Sequence, residues 1–287
     1  MSIIVMVDSG ASLSKNILKR HDIALLPYNI MFSNGDCYKD FIDVKNQKEL
    51  TQLIENHEDF PKIDQMSKEE IETCFKKHID NGDDILYISV SSKLSHAYDE
   101  IVEVSKKFDE STISIIDSLN VGVGETALAL YAKDYIDKGY GLKQTTKYLN
   151  RIKYSIKSCY AVGDPIYLCN QLRCKDTDGK YLELYHRVPI AEITDGNIVL
   201  TFNARENELA LQVLKNTILD NMKHLDCNYL IIAYSGDKKW ALKLKDYVNK
   251  LLKNINVEIV ENSSVVYINS GENTLSLSFL LDKERIL

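Results

Sequence analysis

DILYISVSSKLSHAY, residues Asp84 to Tyr98, is the stretch on which the fold turns. Ile85 to Val90 is a short apolar run rich in β-branched and aromatic side chains, the pattern of a buried strand. It stops at Ser91-Ser92, and from Lys93 the spacing predicts a helix with Leu94, Tyr98, Ile101 and Val102 on one face. A strand that runs into small hydroxyl residues at a helix start gathers backbone N–H groups with no intrahelical partner, at the positive end of the helix dipole. Such a place suits a phosphate or a carboxylate. The plainer reading is that Ser91 or Ser92 only caps the helix.

The same arrangement recurs on either side. Ile3 to Val7 reads as a buried strand that ends at Asp8-Ser9-Gly10 and leads into a helix around Ser14 to Arg20. Ile113 to Ile116 is a third such strand, ending at Asp117-Ser118. A helix from about Gly124 to Lys138 follows, closed by Gly139, and another runs from Leu142 to Lys153. Strands with polar carboxyl ends, alternating with helices, predict a parallel α/β sheet. Ligands of such sheets sit beyond the carboxyl ends of the strands. Asp8-Ser9, Ser91-Ser92 and Asp117-Ser118 are therefore expected along one rim. Asp8 and Asp117 are of the residue type for metal ligation or base chemistry there, but the role expected of them is capping a helix and organising the rim.

Between the first and second of these units, Leu25 to Phe32 reads as one strand. Asn34-Gly35 reads as a two-residue hairpin turn, with Tyr38-Lys39-Asp40 starting the return. Asn46 to Glu55 and Lys68 to Ile79 look helical, the latter with Ser67 as N-cap and Glu70 as its capping-box partner. The second half changes character. Tyr181 to Ile193 and Ile198 to Phe202 read as a hairpin joined through Thr194-Asp195-Gly196-Asn197. Asn207 to Met222 and Lys238 to Leu252 read as helices, and Tyr229 to Tyr234, Val257 to Val260 and Val265 to Ile268 as strands. Thr274 to Leu281 reads as the last helix. Hairpins followed by single β-α pairs predict a separate α+β domain. The boundary is placed near Gly163-Asp164, giving domains of residues 1–163 and 164–287.

Composition narrows the function. The 287 residues are 45% hydrophobic, enough to fill one large core or two, and the net charge of -7 argues against a nucleic-acid surface. No apolar run approaches the ~20 residues that span a bilayer. The opening MSIIVMVDSG has neither a basic leader nor a cleavage signal and is read as the first strand. The six cysteines are scattered without a CxxC pair, so no zinc knuckle or thioredoxin-type site is indicated, and reduced thiols in a cytoplasmic protein are expected. There is no P-loop, no G-x-S-x-G elbow and no metal-spaced histidine cluster.

VDSGASLS (7–14), YNIMFSNGDCYKD (28–40), VSSKLSHAY (90–98), IIDSLNVGVGE (115–125) and TDGNI (194–198) together, in order and spacing, resemble the DegV family of bacterial fatty-acid-binding proteins. The resemblance runs along essentially the whole chain. It implies a Rossmann-like parallel α/β N-terminal domain and a second α+β domain built on a mainly antiparallel sheet. It also implies one fatty acid or related acyl lipid, with its chain in an apolar tunnel and its carboxylate near the interdomain cleft. It further implies that the bound acid is presented to a separate fatty acid kinase. On this resemblance the chain is a carrier, with no cofactor and no catalytic or metal-binding residue.

Ser91 and Ser92 fall on the family's Ser-Ser, whose hydroxyl meets the carboxylate. Arg173, in YLCNQLRC (167–174), aligns with the arginine of a Gly-Gly-Arg-Ile segment whose glycines are here Gln171 and Leu172. Asn269 stands where many members have histidine. Ile63 and Asp64 replace a hydroxyl pair, and Arg205 falls on an arginine implied to meet the kinase. These departures make the chain a divergent member. Two other readings compete with the carrier: a small-molecule enzyme working by phosphoryl transfer or hydrolysis at the rim, and a protein that acts only through a partner surface.

Overall fold

The computed structural model describes residues 2–57, 59–167 and 187–282. Strands β1 (Ile3–Asp8), β2 (Ile23–Leu26), β6 (Asp84–Ser89) and β7 (Ile113–Asp117) form a parallel sheet in the order β2-β1-β6-β7. The chain steps outward from β1 in both directions, so β1 and β6 flank a topological switch point, where open α/β sheets place their ligands. Both faces of this sheet are covered, which is why its strands are almost continuously apolar. Val5, Val7, Leu86 and Ile88 face one way, and Met6, Ile85 and Tyr87 the other.

A second, six-stranded sheet comprises β8 (Ile156–Ala161), β9 (Val188–Thr194), β10 (Asn197–Ala204), β11 (Leu225–Tyr234), β12 (Asn256–Glu261) and β13 (Leu275–Leu281). Its order is β10-β9-β8-β13-β11-β12, antiparallel except between β11 and β12. Helix α5 (Val123–Asp137) lies between the two sheets and is buried all round from Val123 to Ala132. Helices α1 (Lys15–His21) and α6 (Leu142–Ile152) share that middle layer. The outer face of the parallel sheet carries α3 (Lys68–Asp80) and α4 (Ala97–Ser105). The outer face of the larger sheet carries α7 (Asn207–Asn221) and α8 (Lys239–Leu251). The result is five layers, helix, sheet, helix, sheet, helix. The strand Ile156–Ala161 precedes the boundary expected at Gly163-Asp164 yet is hydrogen bonded into the six-stranded sheet.

A small third sheet, β4-β3-β5, joins β3 (Asn29–Met31), β4 (Cys37–Lys39) and β5 (Lys62–Asp64). It packs with α2 (Gln47–His57) and α9 (Ser264–Ser270) around Ile30, Phe32, Leu50, Tyr267 and Ile268.

Several local expectations change. Leu25 to Phe32 is not one strand: Pro27, which has no N–H to donate, separates β2 in the parallel sheet from β3 in the small one. The β3–β4 hairpin forms, but its loop is three residues long. Gly35 donates to the Phe32 carbonyl and takes φ 95°, and the Phe32 N–H then reaches back to Asp36. Val265 to Ile268, read as a strand, is α9, started by Ser263, whose Oγ accepts from the Val266 N–H at 3.3 Å. Thr274 to Leu281, read as a helix, is β13: Leu275, Leu277 and Phe279 enter the core under α7 and α8 while Ser276 and Ser278 face the other way. The helix expected from Lys93 begins at Ala97.

Candidate functional site

The carboxyl ends of β1, β6 and β7 form one rim, held by two aspartates. Asp8 closes the switch point. Its Oδ1 accepts from the Gly10 N–H at 2.8 Å and its Oδ2 from the Val90 N–H at 2.9 Å, tying the end of β1 to the end of β6. Asp117 does the same for β7. Its Oδ1 accepts from the N–H groups of Ser92 and Leu119, both at 3.1 Å, and its Oδ2 from the Ser92 hydroxyl at 2.6 Å. Both carboxylates therefore organise the rim through backbone donors. The half-buried Lys153 donates its Nζ to the Asp117 carbonyl at 3.1 Å, bringing a cation to the rim from just past α6.

Ser91 and Ser92 do not stand at a helix start. Residues 92–94 form a turn in which the Leu94 and Ser95 N–H groups both reach the Ser91 carbonyl. The N-cap of α4 is His96, without a side-chain cap bond, and it is Ser95 just before it, not Ser91 or Ser92, that accepts from the Ala97 N–H at 3.1 Å. The Ser91 side chain is buried and donates to the Gly196 carbonyl at 2.8 Å. That carbonyl lies in the two-residue turn of the β9–β10 hairpin, so the second sheet's hairpin tip closes over the rim of the first.

Below the rim the surface turns apolar. Tyr28, Val90 and Ala97 cluster with Ile63, Val121 and Val265. Tyr28 and Ala97 also line a narrow cavity of about 10 Å³ that continues beneath α3 and α4, walled by Leu26, Pro27, Met66, Ile71, Tyr87 and Ile101, with Asp8 and Gln65. A second hollow, of about 160 Å³, lies between Leu13–Lys15, Asp40, Phe41, Val44–Gln47 and Glu261–Ser264. It is larger, but polar side chains predominate around it, and it shares no wall residue with the apolar cluster.

The remaining candidates divide. In β5 side chains alternate, so Ile63 packs into the apolar cluster while Asp64 is exposed on the opposite face and accepts from the Gln65 N–H. Asn269 is half-buried on α9, one turn after Val265, and donates to the Val265 carbonyl at 2.6 Å. Arg205 is exposed just past β10. Arg173 lies outside the described residues. The structure thus brings Ser91, Ser92 and Ile63 to the neighbourhood of one apolar cluster and points Asp64 to solvent.

Sequence reading missed a buried acidic core beside the cavity. Asp8 and Glu125 are both fully buried and close enough to shift one another's pKa, and neither Glu125 oxygen has a hydrogen-bond partner among the described residues. Burial pushes Asp8 up to about 6 against the pull of the Val90 and Gly10 N–H groups. Burial, then the charge of Asp8, pushes Glu125 well above the usual carboxylate range. The Tyr28 hydroxyl lies beside Asp8 and Ser95 and is itself raised by burial. The signal was present in the sequence: Glu125 is the one acid in Val121 to Ala132, an otherwise small and apolar stretch.

The chain matches the family model described as an uncharacterised protein of the DegV family over residues 2–282. A DegV domain-containing protein of Staphylococcus aureus strain COL is 26% identical over 277 residues, covering 96% of this chain and 98% of that one. A fatty acid (stearic acid)-binding protein from Eubacterium ventriosum has the same fold, with a TM-score of 0.85 at 22% identity over 99% of each chain. DegV from Bacillus subtilis, described as a fatty acid binding protein, superposes with a TM-score of 0.84 at 19% identity, over 98% of this chain and 99% of that one. Among the described residues no helix is long and apolar enough to cross a membrane.

Proposed function

The chain belongs to the DegV family, and from that premise we propose that it binds one long-chain fatty acid or related acyl lipid and presents the headgroup to a partner kinase. The observation that carries this reading is the apolar path from Val90, directly below Ser91, past Tyr28 and Ala97 into the cavity under α3 and α4. A pocket with apolar walls and a few polar groups at one end is the usual form of a small-molecule site. The acyl chain runs down this path and the carboxylate stays at the rim, where Lys153 has N–H donors to spare and the Ser91 and Ser92 hydroxyls reach it by turning away from the Gly196 carbonyl and Asp117. Each CH₂ taken out of water contributes roughly 0.8 kcal/mol, so a long chain needs little help from its headgroup.

At about 10 Å³ the cavity has room for about one water molecule, far short of the ~300–1,000 Å³ of typical ligand pockets. Binding a long chain therefore requires α3 and α4 to move away from the sheet. The exposed position of Asp64 fits an anionic headgroup, because it keeps a second negative charge off the path.

Native mass spectrometry of protein purified from its host tests the reading. A co-purifying acid of fatty-acid mass supports the carrier, and an empty protein that hydrolyses a phosphoester overturns it. Ser92→Ala tests the headgroup position. A hydrogen bond to a charged group contributes about 1.5–3 kcal/mol, so stearate affinity should fall by about tenfold or more. The empty variant should also melt lower, since it loses the Ser92 hydroxyl bond to Asp117, but it should still fold because Asp117 keeps the Ser92 and Leu119 N–H groups. Unchanged affinity together with a large loss of stability would show that Ser92 serves only the rim.

A further inference from the structure

We propose that the cavity under α3 and α4 takes an acyl chain carrying a hydroxyl group part-way along its length, bound by the phenol of Tyr87. This rests on the acyl-binding reading above and narrows its ligand class. Tyr87 sits mid-strand in β6, between Met6 of β1 and Ile115 of β7. It is 0% exposed, faces the α3 and α4 side with its ring 6.0 Å from that of Phe75, and lines the cavity. Its hydroxyl has no hydrogen-bond partner among the described residues. Buried hydroxyls are almost always bonded, and a phenylalanine would fill the same apolar space without leaving a donor stranded.

The surroundings favour a neutral oxygen. Asp8 lines the same cavity, with the Tyr28 hydroxyl beside it. Ser89, two residues on and on the same face of β6, is also buried with an unpartnered hydroxyl. An unsubstituted hydrocarbon offers none of these atoms a partner. A second carboxylate would face the Asp8 carboxylate on the cavity wall. An alcohol can accept from Tyr87 and donate to a carboxylate or phenol oxygen. A strand rises about 3.3 Å per residue, so Tyr87 lies up to about 13 Å along the chain from Ser91. That depth meets the middle of a long acyl chain and not its headgroup.

The test compares stearic acid with 10-hydroxystearic and 12-hydroxystearic acids, titrated against the whole wild-type chain and Tyr87→Phe, with melting curves of both empty proteins. Wild type should prefer one of the hydroxy acids over stearic acid by about three- to tenfold, the worth of one net hydrogen bond. That ratio should collapse to about one in Tyr87→Phe. The empty variant should melt no lower than wild type, because no bond within the protein is lost. A wild type that binds stearic acid as well as either hydroxy acid overturns the proposal and leaves the acyl-binding reading standing. So does a preference that survives in Tyr87→Phe, or an empty variant that melts markedly lower. Binding of none of the three acids overturns both.

Discussion

Asp8 and Glu125 show how one buried pair sets both the geometry and the pH response of the rim. Asp8 must accept from two backbone N–H groups to hold β1 against β6, and Glu125 on α5 stands where only a protonated acid is tolerated. Both are raised by burial, so the folded chain keeps protons that the unfolded chain gives up near the ordinary carboxylate range. Their contribution to stability is complete below that range and is lost as the pH climbs through the folded values, about 6 for Asp8. Asp40, buried and also pushed up to about 6, adds to the same trend. Glu125→Gln keeps the shape and an N–H donor toward Asp8 and has no proton to lose. Its melting temperature should therefore rise above that of wild type from about pH 5 upward, with the gap widening toward pH 8. Melting curves that run parallel across this interval would show that Glu125 does not hold the proton. At this scale the sequence was half legible. The rim aspartates were readable because each ends an apolar strand. Glu125 was not, because nothing local says that the opposite side of α5 would be covered by a second sheet.

At the scale of elements, what could be read was what the chain decides locally. Ser67 with Glu70, the Asp195-Gly196 turn and the long amphipathic α7 all formed where their own residues place them. What failed was decided by distant partners. The segment Ser91 to Ser95 has helical spacing, yet it is drawn into a turn by Asp117 on one side and the Gly196 carbonyl on the other. β8 carried no alternation to find, because both of its faces are buried between α5 and α7. Pro27 and the Leu-Ser alternation of β13 were legible signals that a helix-first reading passed over. The hairpin tip is the element through which the second sheet touches the rim. Asp195 and Gly196 take φ 48° and 82°, the left-handed pair of a tight two-residue turn. A Cβ on Gly196 would lie 2.6 Å from the Oγ of the fully buried Ser91. Gly196→Ala should cost about 1–2 kcal/mol of stability from the backbone alone. It should also weaken stearate binding by displacing Ser91. A destabilised variant with wild-type affinity would separate the turn from the site.

The whole molecule joins the site to a surface. One apolar core runs from Val5 and Leu86 through α5 to Tyr160, Ile193 and Ile231, so the two sheets are bound into a single body around the rim. From the Gly196 turn, β10 leads away along the edge of the six-stranded sheet to Arg205. On the way it exposes Val199, Leu200 and Phe202. Eight residues of strand cover about 26 Å. A standard interface of about 800 Å² per partner is roughly 32 Å across, so one partner can cover both the rim and Arg205. An exposed cation at the far end of such a stripe, on a chain of net charge -7, suits steering and orientation more than affinity. If a kinase docks here, Arg205→Glu should leave stearate affinity at the wild-type value, since Arg205 is a strand's length from the cavity. Phosphorylation of the bound stearate by a fatty acid kinase of the same host should slow by about tenfold at low salt. The difference should shrink as salt is raised, because screening removes the contribution of one charge. Measuring both constants on the same preparation separates the roles. A variant that releases stearate yet is still served by the kinase would place Arg205 with the ligand and leave the β10 edge without its partner.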